Sequence, residues 1–141
     1  MVKSLFRRFL AVYVFLYRLT GGKFGGKVQG LRVLLLTTTG RRTGRKRTTP
    51  LGYFEHGGGY VIIGSNAGFD THPAWFHNLK GNRHATVEVN AGQFEASAEV
   101  VGPDERGQLW ARLVEIAPAY ANYAHKTSRE IPLVTLRSVK A

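Results

Sequence analysis

Five positively charged residues crowd into one short turn of this sequence, within the stretch TTTGRRTGRKRTTPL. Arginine guanidinium groups bind phosphate or carboxylate oxygens in pairs, and the neighbouring Gly40 and Gly44 let backbone N–H groups approach an anion. The stretch therefore predicts an anion-binding turn, although a solvated hairpin tip whose charges only maintain solubility would show the same pattern. No acidic residue accompanies the five cations, which are Arg41, Arg42, Arg45, Lys46 and Arg47.

The overall charge distribution points to the same region. The chain has 20 Lys and Arg against 9 Asp and Glu, which gives a net charge of +11. Residues 1–50 contain twelve of the bases and no acid, whereas residues 51–141 contain eight bases and nine acids. A positive field confined to one part of a molecule indicates an anionic partner. The turn is not a Walker loop, because the spacing GxxxxGK(S/T) is absent.

A second candidate site lies at residues 64–82, where a predicted strand ends in small residues and a short helix follows. Exposed amides near Ser65 would suit the polar edge of a planar ligand. Trp75 could form a wall beside a flat ring, or could equally be a core residue. His72 and His77 do not match a metal-binding spacing, and no G-x-S-x-G elbow is present. The sequence therefore predicts neither a metal site nor a hydrolase.

Two tyrosines form a third candidate site. Tyr120 and Tyr123 fall on one face of a predicted short helix that follows Pro118. Two interpretations stand side by side. Either the rings plug one end of the fold, or they cover an aromatic substrate pocket, where a phenol can donate a hydrogen bond or a proton.

The first 20 residues predict a basic amphipathic helix. At about 100° per residue, its charged residues share one arc: Lys3, Arg7, Arg8 and Arg18. The other side is largely apolar: Phe6, Phe9, Leu10, Tyr13, Leu16 and Tyr17. This side could cover the domain's own core or a partner subunit, as in a dimer, or it could lie on an anionic membrane surface. The uncharged run is too short to cross a bilayer, which takes about 20 residues. A secretory signal is disfavoured because no A-x-A cleavage site follows.

The remaining pattern predicts a mainly β domain with inserted helices. Gly21 to Gly30 would form a flexible joint, which divides the chain into residues 1–30 and a single domain of residues 31–141. Closing the sheet into a barrel, fully or partly, removes exposed strand edges. The six expected antiparallel strands cover residues 31–39, 48–56, 60–65, 85–90, 93–101 and 133–139, with hairpin turns at Gly57–Gly59 and Ala91–Gly92. Helices are expected at residues 73–80, 103–116 and 120–126.

Taken in order, the three candidate sites resemble the deazaflavin-dependent nitroreductase family, a branch of the split β-barrel flavin-like reductases that uses coenzyme F-420. The resemblance runs from about Val33 to Leu136, through LLLTTTGRRTGRKRTTPL, IIGSNAG, HPAWFHNLKGN and AYANY followed by EIPLV. It implies an α+β split barrel related to FMN-binding barrels. It also implies hydride transfer from the reduced coenzyme to an electron-poor acceptor such as a quinone, a nitroaromatic compound or a conjugated enone or lactone.

The resemblance further implies roles for individual residues. The coenzyme's phosphate and oligoglutamate tail would be held by Arg41, Arg42, Thr43, Arg47, Thr48, Thr49, Pro50, Leu51 and Gly52. Its ring would be lined by Ile63, Gly64, Ser65, Asn66, Ala74, Trp75, Phe76, His77 and Asn78. The acceptor would meet Tyr120, Tyr123 and Lys126, and the final proton would come from Tyr123, Ser65 or water. Some members carry lysine at Asn66 and methionine at Ala74, so a wider pocket is expected here.

Three other functions compete with this interpretation. A nucleic-acid-binding barrel would use the same cations, but the aromatic residues lie mostly elsewhere, so no nucleic acid partner is expected. A non-catalytic carrier of a deazaflavin, flavin or haem-like ligand and an FMN-dependent oxidoreductase of the same fold are the nearer alternatives. The chain has no cysteine, and a cytoplasmic location is the default expectation. If the acceptor is a membrane quinone, the basic helix would place the enzyme peripherally on the inner face of the cell membrane.

Overall fold

Six antiparallel strands close into a barrel in this structure, a computed structural model that describes residues 2–23, 27–28 and 30–139. Part of the predicted glycine-rich joint therefore lies outside the described residues, as do the side chains of Lys3 and Phe6. A two-residue strand, β1 (Lys27–Val28), is added at the edge of β2. In barrel order the strands are β2 (Leu31–Thr39), β3 (Lys46–His56), β4 (Gly59–Ile63), β7 (Leu133–Ser138), β6 (Gly92–Val100) and β5 (His84–Val89), and β5 pairs with β2 to close the ring. The predicted α+β split barrel is confirmed.

Four helices accompany the barrel: α1 (Val2–Leu19), α2 (Ala74–Gly81), α3 (Pro103–Ile116) and α4 (Ala119–Lys126). The barrel interior is filled mainly by aliphatic side chains, to which α2 adds Trp75, Phe76 and Leu79. A second apolar cluster joins α3 and α4 to the outer side of the barrel through Leu109, Leu113 and others. Apolar layers on both sides of the sheet explain why several strands are almost continuously hydrophobic.

Strand β2 shows this arrangement most clearly. Leu34 and Leu36 point into the barrel core, whereas Val33 and Leu35 face α1 on the outside. Because side chains alternate along a strand, a continuous apolar run needs a hydrophobic partner on each face. The apolar stretch in this strand is therefore explained only when α1 is included.

The hairpins depart slightly from the predicted boundaries. The turn between β5 and β6 is formed by Asn90 and Ala91, with φ of 50° and 62°, one residue earlier than predicted. A two-residue turn of type I′ has positive φ at both central positions, and asparagine tolerates this better than most residues. The basic hairpin is also tighter than predicted, since Lys46 pairs with Thr39 and belongs to β3. Two of its cations are therefore held on a strand.

Helix α1 packs against the outside of the barrel. Val14 and Tyr17 contact the outer face of β2, and the Tyr17 hydroxyl donates to the Val33 carbonyl oxygen at 2.8 Å. The Arg18 guanidinium binds both carboxylate oxygens of Glu88, at 2.8 and 2.7 Å. The opposite side is also apolar but faces outward, with more than half of each side chain exposed: Leu5, Phe9, Val12, Phe15 and Leu19. Phe9, predicted on the apolar side, is exposed and not packed against β2, because the apolar arc is wider than the packed face.

No helix among the described residues has both the length and the apolar character needed to cross a membrane.

We expect Tyr17→Phe to reduce the free energy of unfolding by about 1 kcal/mol or more, because it removes a buried hydrogen bond and leaves a carbonyl oxygen unsatisfied. Burial raises the pKa of Tyr17 to about 12, so the wild-type hydroxyl keeps its proton at neutral pH. Urea denaturation measures the difference. Phe15→Ala is the control, since that side chain is 62% exposed and should change stability less. Equal stability of Tyr17→Phe and the wild type would contradict the anchoring role.

Candidate functional site

A long cleft runs between α1 and the barrel. It consists of a basic lobe of about 810 Å³ and an apolar lobe of about 550 Å³. Four residues line both lobes, which makes the cleft continuous: Leu10, Thr49, Ala74 and Trp75. The cleft therefore offers one charged end and one apolar end to a single elongated ligand.

The basic lobe surrounds the hairpin between β2 and β3. Gly44 has φ of 71°, and its N–H donates to the Gly40 carbonyl oxygen at 2.8 Å, while the Gly40 N–H donates to the Arg45 carbonyl oxygen at 2.7 Å. A Cβ at position 40 would lie 3.0 Å from the Thr43 hydroxyl oxygen. The two glycines thus permit a tight turn that presents Arg41 and Arg42 to the cleft.

A buried amide attaches this turn to α2. The Asn78 side chain accepts a hydrogen bond from the Arg41 backbone N–H at 3.1 Å and donates to the Thr38 hydroxyl at 3.1 Å. Asn78 and Thr38 are both buried, so the bond between them is shielded from water. The position of the arginine pair is therefore coupled to the helix that also carries Trp75.

Three arginines of the hairpin that line the basic lobe have no carboxylate partner among the described ion pairs. Among the described ion pairs, none includes Arg41, Arg42 or Arg47. Arg7 of α1 lines the same lobe from the opposite wall. Like charges placed this close together repel each other unless an anion neutralises them. The electrostatics of the basic lobe therefore favour a polyanionic ligand.

The apolar lobe is lined by residues of α1, β2, β3, β4, α2 and α4 and of the loop between β4 and α2. Tyr13 of α1, Leu51 of β3 and Trp75 of α2 supply apolar surface, and Ser65 and Asn66 supply polar groups from the loop between β4 and α2. The arrangement suits a flat ring with one polar edge.

The loop that carries these polar groups has an unusual backbone. Asn66 and Ala67 have φ of 46° and 54°, and the Asn66 side-chain amide donates to the Thr71 carbonyl oxygen at 2.9 Å. Positive φ at two consecutive non-glycine residues is uncommon and costs conformational energy. The loop is also packed tightly against α4, because a Cβ at Gly68 would lie 3.0 Å from Lys126.

Tyr120 lines the apolar lobe, and Tyr123 lies behind it with the two ring centroids 5.4 Å apart at 84°. Burial, with a smaller effect of Tyr123, raises the pKa of Tyr120 to about 12. Tyr120 therefore keeps its proton at neutral pH and can donate a hydrogen bond.

The structure brings most of the predicted site residues to the cleft. The basic lobe is lined by Arg41, Arg42, Thr43, Arg47, Thr48, Thr49, Ala74, Trp75 and Asn78. The apolar lobe is lined by Thr49, Pro50, Leu51, Gly52, Ile63, Ser65, Asn66, Ala74, Trp75 and Tyr120. Five predicted residues are not among those that line either lobe: Gly64, Phe76, His77, Tyr123 and Lys126. Phe76 lies in the barrel core, because the helical period of α2 turns it away from the cleft.

Sequence reasoning missed the contribution of α1. This helix lines both lobes through Arg7, Phe9, Leu10, Ala11, Tyr13, Val14, Phe15 and Arg18. His72 and Pro73 were also missed as lining residues of the apolar lobe. The signal available was the spacing of Leu10, Tyr13, Val14 and Tyr17, which places four apolar side chains on one helical face.

Across the part of the chain that the structure describes, no three His, Asp or Glu side chains form a group that could hold a metal ion.

Comparison with known proteins identifies similar reductases. The family model described as F-420H(2)-dependent quinone reductase matches residues 10–138. The F-420H(2)-dependent quinone reductase Rv1261c of Mycobacterium tuberculosis is 39% identical over 125 residues, which cover 86% of this chain and 84% of that protein.

Two solved structures are similar in both fold and sequence. One is an F-420-H(2) dependent reductase, FDR-A, with a TM-score of 0.68 and 35% identity, covering 74% of this chain and 93% of the other. The second is described as a domain-swapped dimer and has a TM-score of 0.69 and 31% identity, covering 89% and 96% of the two chains.

Proposed function

The chain belongs to the F-420H(2)-dependent quinone reductase family, and from this premise we propose that it transfers a hydride from reduced coenzyme F-420 to a quinone-like acceptor bound in the same cleft. The observation that carries the proposal is the continuity of the two lobes. A ligand with an anionic tail and a flat head needs a cationic region joined to an apolar region, and the described cleft has both.

The basic lobe fits the coenzyme's phosphate and oligoglutamate tail. Arg41, Arg42 and Arg47 supply forked donors, and the hairpin backbone holds them without neutralising carboxylates. Arginine remains charged at every physiological pH and binds carboxylates and phosphates in a bidentate manner. Arg7 on α1 adds a cation from the facing wall. The donor set therefore matches a ligand with several negative charges spread along its length.

The apolar lobe fits the coenzyme's ring and the acceptor. When bound, reduced coenzyme F-420 supplies a hydride from carbon C5 of its deazaflavin ring. The chain's own residues position the two reactants and limit the access of water. Trp75 and Leu51 provide apolar walls. Ser65 and Asn66 would hold the polar edge of the ring, and Tyr120 would offer a hydroxyl to the acceptor. Electron-poor flat molecules of the quinone, nitroaromatic and enone or lactone classes suit this lobe.

Spectral titration tests the proposal directly. Purified protein mixed with oxidised coenzyme F-420 should change the coenzyme's absorbance, and FMN should bind far more weakly because it lacks the oligoglutamate tail. Mixing the reduced coenzyme and a soluble naphthoquinone with the protein should then restore the absorbance of the oxidised coenzyme. Tight FMN binding, or no absorbance change with coenzyme F-420, would reject the proposal. Binding without turnover of quinones, nitro compounds and enones would instead identify a carrier.

We expect Tyr123→Phe to leave coenzyme binding nearly unchanged while raising KM for the acceptor or lowering kcat. Tyr123 packs edge-on against Tyr120 and lies next to Gly68 of the loop that lines the apolar lobe. Removing its hydroxyl should therefore alter the acceptor side of the site and leave the basic lobe intact. Steady-state kinetics with a quinone and the coenzyme titration measure the two effects. A variant with wild-type KM and kcat would remove Tyr123 from the mechanism.

The outward side of α1 is a candidate membrane-contacting surface, and we propose that it rests on anionic lipid. It exposes Phe9 and Val12 together with Leu5 and Leu19, and the exposed Arg8 adjoins them on the helix. Exposed apolar side chains beside a cation match an anionic bilayer surface. A membrane quinone could then reach the apolar lobe, because Phe9 lies both on this exposed side and on the lining of that lobe.

Vesicle sedimentation tests this contact. The protein should sediment with vesicles that contain anionic phospholipid and much less with zwitterionic vesicles. The double variant Phe9→Ser with Val12→Ser should reduce the bound fraction about tenfold or more, since each buried large apolar side chain contributes about 1.5–3 kcal/mol. Ile116→Ser is the control, because that exposed apolar residue lies on α3. Failure of the wild type to sediment, or a dimer dissociated by the same double variant, would assign the surface to another role.

A further inference from the structure

The loop between β4 and α2 is held from behind by one guanidinium group. Arg129 donates to the carbonyl oxygens of Gly64 at 3.1 Å, Ser65 at 2.8 Å and Phe69 at 3.0 Å, and its Nη1 lies 3.0 Å from Nδ1 of His72. Four of its five N–H groups are therefore directed at one short segment. This segment includes Ser65 and His72, which both line the apolar lobe.

The contact between Arg129 and His72 determines which ring nitrogen of His72 carries the proton. A guanidinium has only donors, so its partner nitrogen must be an acceptor without a hydrogen. Nδ1 of His72 is that acceptor, and the ring proton must then reside on Nε2. Protonating Nδ1 would break the bond and place an imidazolium against a guanidinium. His72 is thereby kept neutral, with an N–H donor at Nε2.

The surroundings of His72 favour the same state. Its ring lies 4.8 Å from the Phe76 ring and 5.8 Å from the His77 ring. Burial lowers the pKa of His72, and the charges of Arg129, His77 and Lys80 lower it further. Among the described hydrogen bonds, none uses Nε2 of His72. His72, which lines the apolar lobe, therefore has an N–H donor at Nε2 that none of the described hydrogen bonds uses.

We propose that His72, fixed in its Nε2–H form by Arg129, is an uncharged hydrogen-bond donor to the ligand oxygen that carries negative charge during the reduction. This inference rests on the proposed reductase function and adds a residue to it. Two ligands could supply such an oxygen in the apolar lobe: the carbonyl-bearing edge of the coenzyme's ring, or the quinone or nitro oxygen of the acceptor. The hydrogen bond has the same form in both cases, but negative charge develops on the acceptor's oxygen while the coenzyme's ring loses electron density as the hydride leaves. The kinetics below distinguish the two.

The role requires no proton transfer from His72. The reduction adds a hydride to the acceptor, the coenzyme is oxidised by two electrons, and an electron pair moves onto the acceptor's oxygen. The proton that neutralises this oxygen comes from water or a tyrosine, and His72 keeps its own Nε2 hydrogen. A neutral donor held in place before the reaction stabilises developing charge without reorganisation. Arg129 is a positioning residue in this scheme, since it acts through His72 and the loop.

The ring state of His72 can be measured in the free protein. Nitrogen-15 NMR of protein labelled at histidine should show one protonated and one unprotonated ring nitrogen for His72, the protonated one being Nε2. This pattern should persist to a lower pH than the one at which an ordinary histidine becomes charged. A normal titration, or a proton on Nδ1, would overturn the inference. The measurement needs neither coenzyme nor turnover, so it stands even if the reductase assignment fails.

Paired substitutions test the donor itself. His72→Asn can still offer an oxygen to Arg129 but has no group at the Nε2 position, whereas His72→Gln can place an amide N–H there. We expect kcat to fall on the order of 10²-fold in His72→Asn, as for loss of one donor to a developing oxyanion, and to be partly restored in His72→Gln. His125→Asn on α4 is the control, because that side chain is exposed outside the cleft. Equal activity of His72→Asn and the wild type would overturn the proposal.

The change in Kd for the coenzyme and the change in kcat show which ligand accepts the hydrogen bond from His72. If the oxygen belongs to the coenzyme, Kd for coenzyme F-420 rises in His72→Asn and the loss of kcat is the same for quinone and nitro acceptors. If it belongs to the acceptor, Kd is unchanged and the loss depends on the acceptor. Arg129→Met should change the NMR pattern of His72, because methionine has no side-chain N–H to hold Nδ1 as an acceptor. An unchanged pattern in Arg129→Met would remove Arg129 from the positioning role.

Discussion

Replacing Arg41 and Arg42 together with alanine should weaken coenzyme F-420 binding by about a hundredfold or more. Each arginine can make charge-assisted hydrogen bonds worth roughly 1.5–3 kcal/mol, and every 1.4 kcal/mol corresponds to about tenfold in affinity. Both side chains line the basic lobe, and among the described ion pairs neither is neutralised by a carboxylate. Spectral titration of the variant and the wild type measures the change.

The matched control is Lys23→Ala with Arg112→Ala. It removes the same total charge from two exposed positions that do not line the cleft, so coenzyme affinity should stay within a few-fold of the wild type. A deazaflavin fragment without phosphate or glutamates should bind equally to the arginine variant and the wild type. Unchanged affinity for the full coenzyme in the arginine variant would show that the hairpin charges serve solubility alone.

The barrel could be predicted from local pattern, because strands and turns have local causes. The apolar run at Leu31–Thr39 is a strand, and the glycine turn after His56 does join β3 to β4. The boundary errors are also local. The expected strand 60–65 ends at Ile63, because Ser65 has helical backbone angles and Asn66 and Ala67 have positive φ. Arg129, far away in sequence, holds this loop through hydrogen bonds to its carbonyl oxygens, so no periodicity reveals the boundary.

The cleft itself could be predicted only in part. The cations of the hairpin and the small residues after β4 are sequence signals, and both lie on the cleft. Helix α1 was expected to be separable from the domain, and that division remains a prediction. The sequence could not show that Leu10 would line both lobes, since this depends on how α1 packs against β2.

The role inferred for His72 could not be predicted from the sequence either, because it depends on which ring nitrogen carries the proton. In the sequence, His72 and His77 could be considered as metal ligands, but their spacing does not match a metal site. The distinguishing partner is Arg129, which is 57 positions away. A tautomer depends on the donor or acceptor beside the ring, and that neighbour is supplied by tertiary structure. Site residues that act through such pairs escape motif analysis.

Placing a large side chain at Ala74 should block the cleft. Ala74 lines both lobes where they join, and its side chain is exposed there. Ala74→Trp adds an indole at the passage that a ligand spanning both lobes must use, so coenzyme F-420 affinity should fall by a hundredfold or more. Ala74→Met adds a smaller and more flexible side chain than tryptophan, so it should narrow the passage and still allow binding.

The control for bulk is Ala111→Trp, because Ala111 is exposed on α3 and does not line the cleft. Both tryptophan variants should fold alike, as measured by urea denaturation, while only Ala74→Trp loses the coenzyme.

The two halves of the ligand give a sharper test. A tail-free deazaflavin should still enter the apolar lobe of Ala74→Met with near wild-type affinity, because it need not cross the junction. If Ala74→Trp binds the intact coenzyme as tightly as the wild type, the ligand does not span the two lobes, and the continuity on which the proposed function depends has no role in binding.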